Sequence, residues 1–585
     1  MKSILTMLLL CACNSCYAQF AQFDWVNSYV EYGQYSYNLP SGNVVRTDAA
    51  NNVYVLGEVY APMIIDTFQV PGGMQNMYLA KYNANGQLLW LRTAVLSPTN
   101  SLNTPNSMCN GNVMAIDPAG YVYIGGNFID TMDLNGIHLV SNSFLYADIF
   151  LAKYDTNGNI IWAKKAGGLG DDVIGGGKVF DQMGGGMHLD NEGSIYLTGN
   201  FGNYQSGITV PKSATFDTIT LKADTLGSVF LAKYDTGGHV IWAKAIGSRG
   251  SQTAEPQAFD VTINGADDVF ITGNFSAASI YFDSIKLLSM PQYLRTAYGH
   301  MFVAKYNKDG SAEWARLIDG KGGTFGVSLI TDNTNDVIVA GLGLSDTTIF
   351  DNIYIKGSYP SINSFLAKYS ASGNVLWAKS MDNYYHSNNY PTYMGMGTDG
   401  YIYMTGVFTD TVVFDGKTLI SNGGYDVYLT RYNVDGNLNW LTSIGGTKDD
   451  AAFGIATDNT NAIYVTGDVQ DTCTFGTFVV GDSVSHNMFI GKLTIPTAGV
   501  KQVTKIMNSI VVYPNPANSS SIVRINEGDL TEISIEDCLG RIVYEQKVSG
   551  KERVIVNTSG FVNGLYFVTV SDNETRMSTK LIIQH

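Results

Sequence analysis

One phrase returns along most of this chain, and that repetition restricts the fold more than any other property of the sequence. Phe150-Leu-Ala-Lys-Tyr-Asp-Thr-Asn-Gly-Asn-Ile-Ile-Trp162-Ala-Lys recurs almost unchanged from Phe230 to Lys244, from Phe302 to Arg316 and from Phe365 to Lys379. Looser copies run from Tyr78 to Trp90 and from Tyr428 to Trp440. Each copy reads as an alternating strand, a Gly-centred turn such as Asp155-Thr-Asn-Gly158, and a second strand that carries the Trp. Two period-2 apolar runs separated by residues that tolerate unusual backbone angles form a β-hairpin. Self-similarity of this kind marks a repeat architecture, in which each unit buries its apolar face against the next.

The other half of the unit is a second hairpin. Met187-His-Leu-Asp190, a turn at Asn191-Glu-Gly193 and Ser194-Ile-Tyr-Leu-Thr-Gly-Asn-Phe201 have counterparts beginning near Asp48, Asp117, Ile263, Asp332, Asp399 and Asp458. Two hairpins give four strands, the content of one propeller blade. All seven Trp residues (Trp25, Trp90, Trp162, Trp242, Trp314, Trp377 and Trp440) fall in the same strand type. The last unit has its third strand, Met488-Phe-Ile-Gly-Lys-Leu493, but no Trp strand after it, and Phe23-Asp-Trp25-Val has no repeat before it. These halves predict an all-β fold: a seven-bladed propeller over residues 19–494, closed by its N- and C-terminal strands so that no sheet edge is left open. The Trp rings are expected between neighbouring blades. The recurring Asp residues are expected to bond their own turn backbones; a calcium role for Asp332-Asn333-Thr334-Asn335-Asp336 is the alternative, with a spacing unlike that of an EF-hand loop. The repeated Lys-Tyr pair marks a strand face.

The units resemble bacterial SBBP-type propeller repeats, as Ser194-Ile-Tyr-Leu-Thr-Gly199 followed by Phe230-Leu-Ala-Lys-Tyr234 illustrates. The resemblance covers about residues 23 to 493 and implies a fold, with little about activity.

The first residues read as an export signal (1–18): Lys2, an apolar stretch from Ile4 to Ala12, and Cys16-Tyr17-Ala18 before Gln19. Leu10-Cys11-Ala12-Cys13 offers a rival, a lipoprotein box that would place a lipid on Cys13. No apolar run is long enough for a permanent transmembrane helix. Cleavage after Ala18 leaves Cys109, Cys473 and Cys538, which form neither a disulfide framework nor a zinc site. A formal net charge of −16 excludes nucleic acid or anionic lipid as partners bound through a general basic field.

After a linker (495–509), Pro514 and Pro516 interrupt the strand pattern and start a new domain (510–585) whose short alternating runs suit a small Ig-like β-sandwich. It resembles the type A sorting domain of the type IX secretion system of Bacteroidota. The matching motifs are Tyr513-Pro514-Asn515-Pro516-Ala517, Asp537-Cys-Leu-Gly540-Arg541, Gly564-Leu-Tyr566-Phe-Val568 and Lys580-Leu-Ile-Ile583. The resemblance implies the type IX machinery as a partner and export to the extracellular space or the outer-membrane surface. An ordinary Ig-like accessory module is the alternative.

The chemistry of the chain is sparse. The seven His residues are scattered, and no metalloprotease pair, nucleophile elbow, Walker loop or dinucleotide fingerprint stands in a suitable context. No catalytic, cofactor-binding or metal-binding residue is assigned. The Asp-x-x-Gly-x-x-x-Trp hairpin is similar to that of quinoprotein propellers, but their eightfold repeat and paired cysteines are absent from the sequence. The leading expectation is a binding, adhesion or structural module at the cell surface with a glycan or protein ligand. The candidate contact is the aromatic, amide-rich connection containing Tyr384, Tyr385, His386, Asn389 and Tyr390. The alternative is a secreted hydrolase acting on polysaccharides or peptides through a loop-built site.

Overall fold

The computed structural model describes residues 21–31, 40–71, 75–96, 107–174, 186–203, 212–223, 227–249, 256–289, 299–320, 322–344, 347–357, 362–381, 388–481, 486–495, 510–525, 532–537, 540–547, 553–571 and 576–585. Among them every regular element is a β-strand. The chain divides into two compact units, Met1–Pro496 and Thr497–His585.

The first unit uses one antiparallel pattern repeatedly, in a propeller-like organisation. Ser41–Thr47 pairs with Val53–Val59, that strand with Asn76–Tyr82, and that one with Leu88–Thr93. The same order runs from Met108–Ile116 to Ile160–Gly168 and from Met187–Leu189 to Val240–Ile246. It continues from Gln257–Ile263 to Ala312–Gly320, from Thr324–Thr331 to Val375–Met381 and from Asn389–Met396 to Leu438–Gly446. The final set holds Asp450–Thr457, Ile463–Gln470 and His486–Thr494. Its fourth strand is Gln22–Val30 from the other end of the chain, paired from Gln22 opposite Thr494 to Val30 opposite Asn487.

Two hairpins do not exhaust the unit. A third, short one lies between the second and third strands of each set, as in Ser279–Phe282 with Ile285–Leu288, Thr347–Phe350 with Ile353–Lys356 and Thr411–Phe414 with Lys417–Ile420. Four strands per unit was therefore an undercount. Asp283, Asp351 and Asp415 open these turns at φ of 50°, 48° and 49°, a left-handed conformation that Asp tolerates better than most residues. The preceding Phe282, Phe350 and Phe414 are buried against Phe302, Phe365 and Tyr428, with ring centroids 5.0, 4.9 and 5.0 Å apart. These three short hairpins are each packed onto the main strands through one aromatic pair.

Neighbouring sheets are joined by their Trp residues. The indole N–H of Trp25 donates to the carbonyl of Ala84 at 3.1 Å. Trp90, Trp162, Trp242, Trp314 and Trp377 repeat this toward Thr156, Thr236, Lys308, Ala371 and Val434 at 3.0–3.2 Å. Each acceptor lies in the Gly-centred turn of the next set, and a Cβ added to Gly86, Gly158 or Gly373 would meet the Trp ring within 3.0 Å. Glycine is required there by the ring beneath it as well as by its positive φ. Trp440 faces the set whose third and outermost strands come from opposite chain ends and share no turn.

The turn aspartates behave as expected. Asp48 Oδ1 accepts from the amides of Ala50 and Asn52, and Asp117, Asp190 and Asp458 repeat the pattern. The second oxygen meets the repeated Lys in two of these turns, Lys81 at 3.6 Å from Asp48 and Lys233 at 3.0 Å from Asp190, and accepts from the hydroxyls of Tyr123 and Tyr464 at Asp117 and Asp458. Asp332 and Asp336, the calcium alternative, hold Lys368 at 2.6 and 3.1 Å. Where the fourth set has Asn264 instead, its amide oxygen caps the turn, and Lys305 turns to Asp268 and Glu313, both at 2.9 Å.

The second unit has two antiparallel sheets. One is Ile510–Tyr513, Ser520–Ile525 and Arg553–Asn557; the other is Ile542–Lys547, Glu532–Asp537, Gly564–Ser571 and Arg576–Ile583. Val523, Val554 and Val556 from the first share a core with Ile533, Ile535, Val568, Val570 and Leu581 from the second. The first strand ends at Tyr513, before Pro514.

Candidate functional site

The first strand of each set in unit 1 contributes to one cavity of about 390 Å³. These strands are not backbone-paired to one another, so side chains tie them together. Thr47 Oγ1 donates to the carbonyl of Thr457 at 2.8 Å, and Thr331 Oγ1 to that of Ile263 at 3.0 Å. Asn43 reaches Gly111, Asn112 reaches Ile174 and Thr392 reaches Ala452 in the same way. Asn43, Asn112 and Thr392 are the extra residues of bulges between their first and second strands. A bulge frees one residue from the ladder and re-aims it; here it turns a strand residue into a clamp on the neighbouring sheet.

One register position lines the cavity throughout. Opposite Tyr54, Tyr123, Tyr196, Phe270, Ile338, Tyr403 and Tyr464 stand Arg46, Ala115, His188, Thr262, Ile330, Gly395 and Ala456. Asp260 and Tyr393 precede Thr262 and Gly395 by two residues and therefore face the same way. Four polar groups from four sheets are so brought to one place: Arg46, His188, Asp260 and Tyr393.

Arg46 donates through Nη2 to the Tyr393 hydroxyl and through Nη1 to the carbonyl of Val45, and its Cζ lies 4.9 Å from the Tyr393 ring centroid. Asp260 Oδ2 accepts from the Leu329 amide at 2.7 Å and the Ser328 hydroxyl at 3.2 Å, and Oδ1 from its neighbour Val261 at 2.9 Å. Burial outweighs these donors and the Arg46 charge, and pushes the Asp260 carboxyl up to about 7. Burial pushes His188 down to about 4. Its Nδ1 lies 3.1 Å from the Leu189 carbonyl, which fixes the neutral tautomer with the proton on Nδ1. Burial also raises the Tyr393 phenol, with Arg46 opposing. Near neutral pH the cavity therefore holds one fixed cation, one carboxyl near its midpoint, a neutral imidazole and a neutral phenol.

Of the connection singled out in the sequence, Asn389 and Tyr390 do not line this cavity. Tyr384, Tyr385 and His386 are outside the described residues. Asn389 and Tyr390 open the strand Asn389–Met396 and are buried, Tyr390 among Phe259, Phe325 and Val407, with its ring 6.2 Å from that of Tyr425. The cavity residues escaped the sequence reading because they share no motif; their common register opposite a repeated aromatic was the available signal. Cys109 and Cys473 are buried free thiols.

In unit 2 the motif residues meet one another. Asn515 Nδ2 donates to the Lys580 carbonyl and its Oδ1 accepts from the Ile582 amide, both at 2.8 Å, so its side chain pairs with the last strand as a backbone would. Asp537 accepts from the amide and guanidinium of Arg541 at 3.0 and 2.7 Å across a turn in which Gly540 has φ of 78°. Asp537, Arg541, Gly564 and Tyr566 line one open pocket, where the Tyr566 hydroxyl donates to the Val562 carbonyl at 2.9 Å.

Residues 511–584 match the family described as secretion system C-terminal sorting domain. The chain is thereby exported by type IX secretion to the cell surface or extracellular space, and among the described residues no helix is long and apolar enough to cross a membrane. An uncharacterized WD repeat-containing protein of Acanthamoeba polyphaga mimivirus is 24% identical over 345 residues, covering 50% of this chain and 24% of that protein. An ulvan lyase of Nonlabens ulvanivorans is 24% identical over 183 residues, 28% of this chain and 34% of the lyase. The chain thus spans about a quarter to a third of the curated relatives it matches. Among solved structures, a puromycin hydrolase aligns at a TM-score of 0.38 and 11% identity, over 84% of this chain and 59% of the hydrolase. A protein of unknown function from Dyadobacter fermentans aligns at 0.35 and 9% identity, over 69% and 98%.

Proposed function

We propose that this chain is a binding protein delivered to the cell surface or medium by its C-terminal domain, with the inner cavity of a closed, seven-bladed, SBBP-type propeller as its principal ligand site. The observation that carries the reading is the cavity: the first strands of all seven sets line a single space, and four of them bring Arg46, His188, Asp260 and Tyr393 to it. The closed ring is supported by the pairing of Gln22–Val30 with His486–Thr494 and by the reach of Trp25 and Asn27 into the turn of the first set. Tyr384, Tyr385 and His386 are proposed as further ligand contacts, with Asn389 and Tyr390 anchoring their segment. The ligand is a glycan or a protein segment.

A hydrolase is the second reading, and Asp260 is what favours it. A carboxyl that titrates near neutrality inside a cavity is suited to proton transfer. Glycan and peptide arrays probed with the secreted protein, beside turnover assays on polysaccharides and peptides, separate the two. Capture without turnover supports binding; turnover lost in Asp260→Asn establishes the enzyme. Delivery has its own test. In a host with the type IX machinery, deletion of residues 510–585 is expected to leave the folded propeller in the periplasm, and normal extracellular yield without them overturns the address.

A further inference from the structure

We infer that the inner cavity takes a small organic acid, with the Arg46 guanidinium receiving its carboxylate; this rests on the binding reading above. Among the described residues Arg46 makes no ion pair. Its recorded contacts are two neutral acceptors, the Val45 carbonyl and the Tyr393 hydroxyl, and the Tyr393 ring beneath it. Elsewhere in this unit Lys233, Lys305, Lys368 and Arg431 each meet a carboxylate within 3.1 Å, a direct contact that Arg46 lacks. The one carboxyl facing it, Asp260, is only part-ionised near neutrality and makes no direct ion pair with it, so the guanidinium is left to be completed by an anion, and its planar fork matches a carboxylate in two-point contact.

The rest of the lining agrees with an acid of about monosaccharide size. The cavity falls at the small end of the range for ligand sites. Thr262 and Thr457 offer hydroxyls, and Met114, Met187 and Met396 offer adaptable apolar wall. The titratable groups facing Arg46 are His188, Asp260 and Tyr393; the lining from the other strands carries none. His188 is neutral above about pH 4 and Tyr393 stays protonated, so between pH 6 and 8 only Asp260 changes charge. Its ionisation sets a carboxylate in competition with the incoming one. Affinity for an acid is therefore expected to fall as pH rises through about 7.

The test is titration of the full secreted chain with D-glucuronate, with D-glucose as the uncharged control and a uronic-acid tetrasaccharide to tell a free acid from the acidic end of a polymer. Glucuronate is expected to bind saturably, and glucose at least about tenfold more weakly, the scale of one charge-assisted contact. Arg46→Gln is expected to lose at least about tenfold and Arg46→Lys less, with near-ultraviolet dichroism confirming that each variant is folded. Asp260→Asn is expected to flatten the pH dependence. Tighter binding of the tetrasaccharide assigns the polymer end as the source of the acid. Equal binding of glucose and glucuronate, or undiminished glucuronate binding by either folded Arg46 variant, overturns the assignment. So does absence of glucuronate binding by a protein that captures uncharged glycans or peptides on arrays, and in that case the binding reading stands. Absence of both removes the binding reading as well.

Discussion

The outermost and innermost strands of the first unit obey opposite rules. On the outside, the hairpin that ends in Trp162 returns nearly residue for residue, and six indoles make the same bond to the next sheet. On the inside, in a register just as regular, the residue opposite a position that is aromatic in six of the seven sets is Arg, Ala, His, Thr, Ile, Gly and Ala in turn. Repetition follows where each unit must make the same contact with its neighbour. Variation follows where all units face one shared space and only the set of side chains matters. Within a single repeat protein, the fold is written in what recurs and the site in what does not.

That contrast can be broken experimentally, beginning where most is at stake. Deleting residues 19–30 strips the outer strand from the set containing His486–Thr494 and exposes an unpaired edge. The expected outcome is a loss of several kcal/mol, as for a lost core strand, with aggregation on size-exclusion chromatography. An unchanged melting temperature and monomeric elution would show that the outer layer does not govern stability. Trp314→Ala comes next. Its ring is 8% exposed, packs on Gly373 and bonds to Ala371, so truncation is expected to cost about 3–5 kcal/mol in denaturant unfolding.

A smaller effect tests the buried carboxyls, Asp260 of the cavity among them, through pH. Burial holds Asp260 and Asp450 up to about 7 and Asp148 and Asp426 up to about 6, against about 3.9 in an unfolded chain. The folded state then binds more protons than the unfolded state between those limits, and stability falls as pH rises across them. Melting temperature is expected to be higher at pH 5 than at pH 8, with Asp260→Asn flattening its share of the slope. A melting temperature that rises with pH would place these carboxyls in ion pairs that stabilise their charged forms. The smallest effect is expected for Arg46→Gln, within about 0.5 kcal/mol of the parent in unfolding, because the residue is half-buried and pairs only with neutral groups. A loss comparable to that of Trp314→Ala would make Arg46 a structural residue and erase the contrast between the two layers.

The same contrast explains what was legible in the sequence. The Trp hairpins, the Asp turns and the pairing of the two chain ends were readable because local turn chemistry and period-2 patterning repeat. The short third hairpin was missed although Phe282-Asp283, Phe350-Asp351 and Phe414-Asp415 carried its signature; each run is only four residues long on either side of its turn, too brief for periodicity to register. The cavity was not readable as a motif. Arg46 and Tyr393 lie far apart in sequence and meet because the first strands of separate sets line one cavity. The aromatic connection drew attention through its composition, which does not reveal that Tyr390 is packed among Phe259 and Phe325. In unit 2 the motifs were readable because Asn515, Asp537 and Tyr566 make fixed local or strand-end bonds.

The strand pairing of Phe23 with Leu493 also sets a timetable. Gln22–Val30 precedes every other strand of the unit in synthesis, and its partner is the unit's last strand. Until His486–Thr494 arrives, the opening strand has no ladder partner, and forming that ladder bears the loop-closure cost of almost the whole unit. A chain stalled or clipped anywhere between them keeps both edges open and available to another copy. The sorting domain follows His486–Thr494 in sequence, so a chain that carries residues 511–584 as its address also carries both strands of this pair.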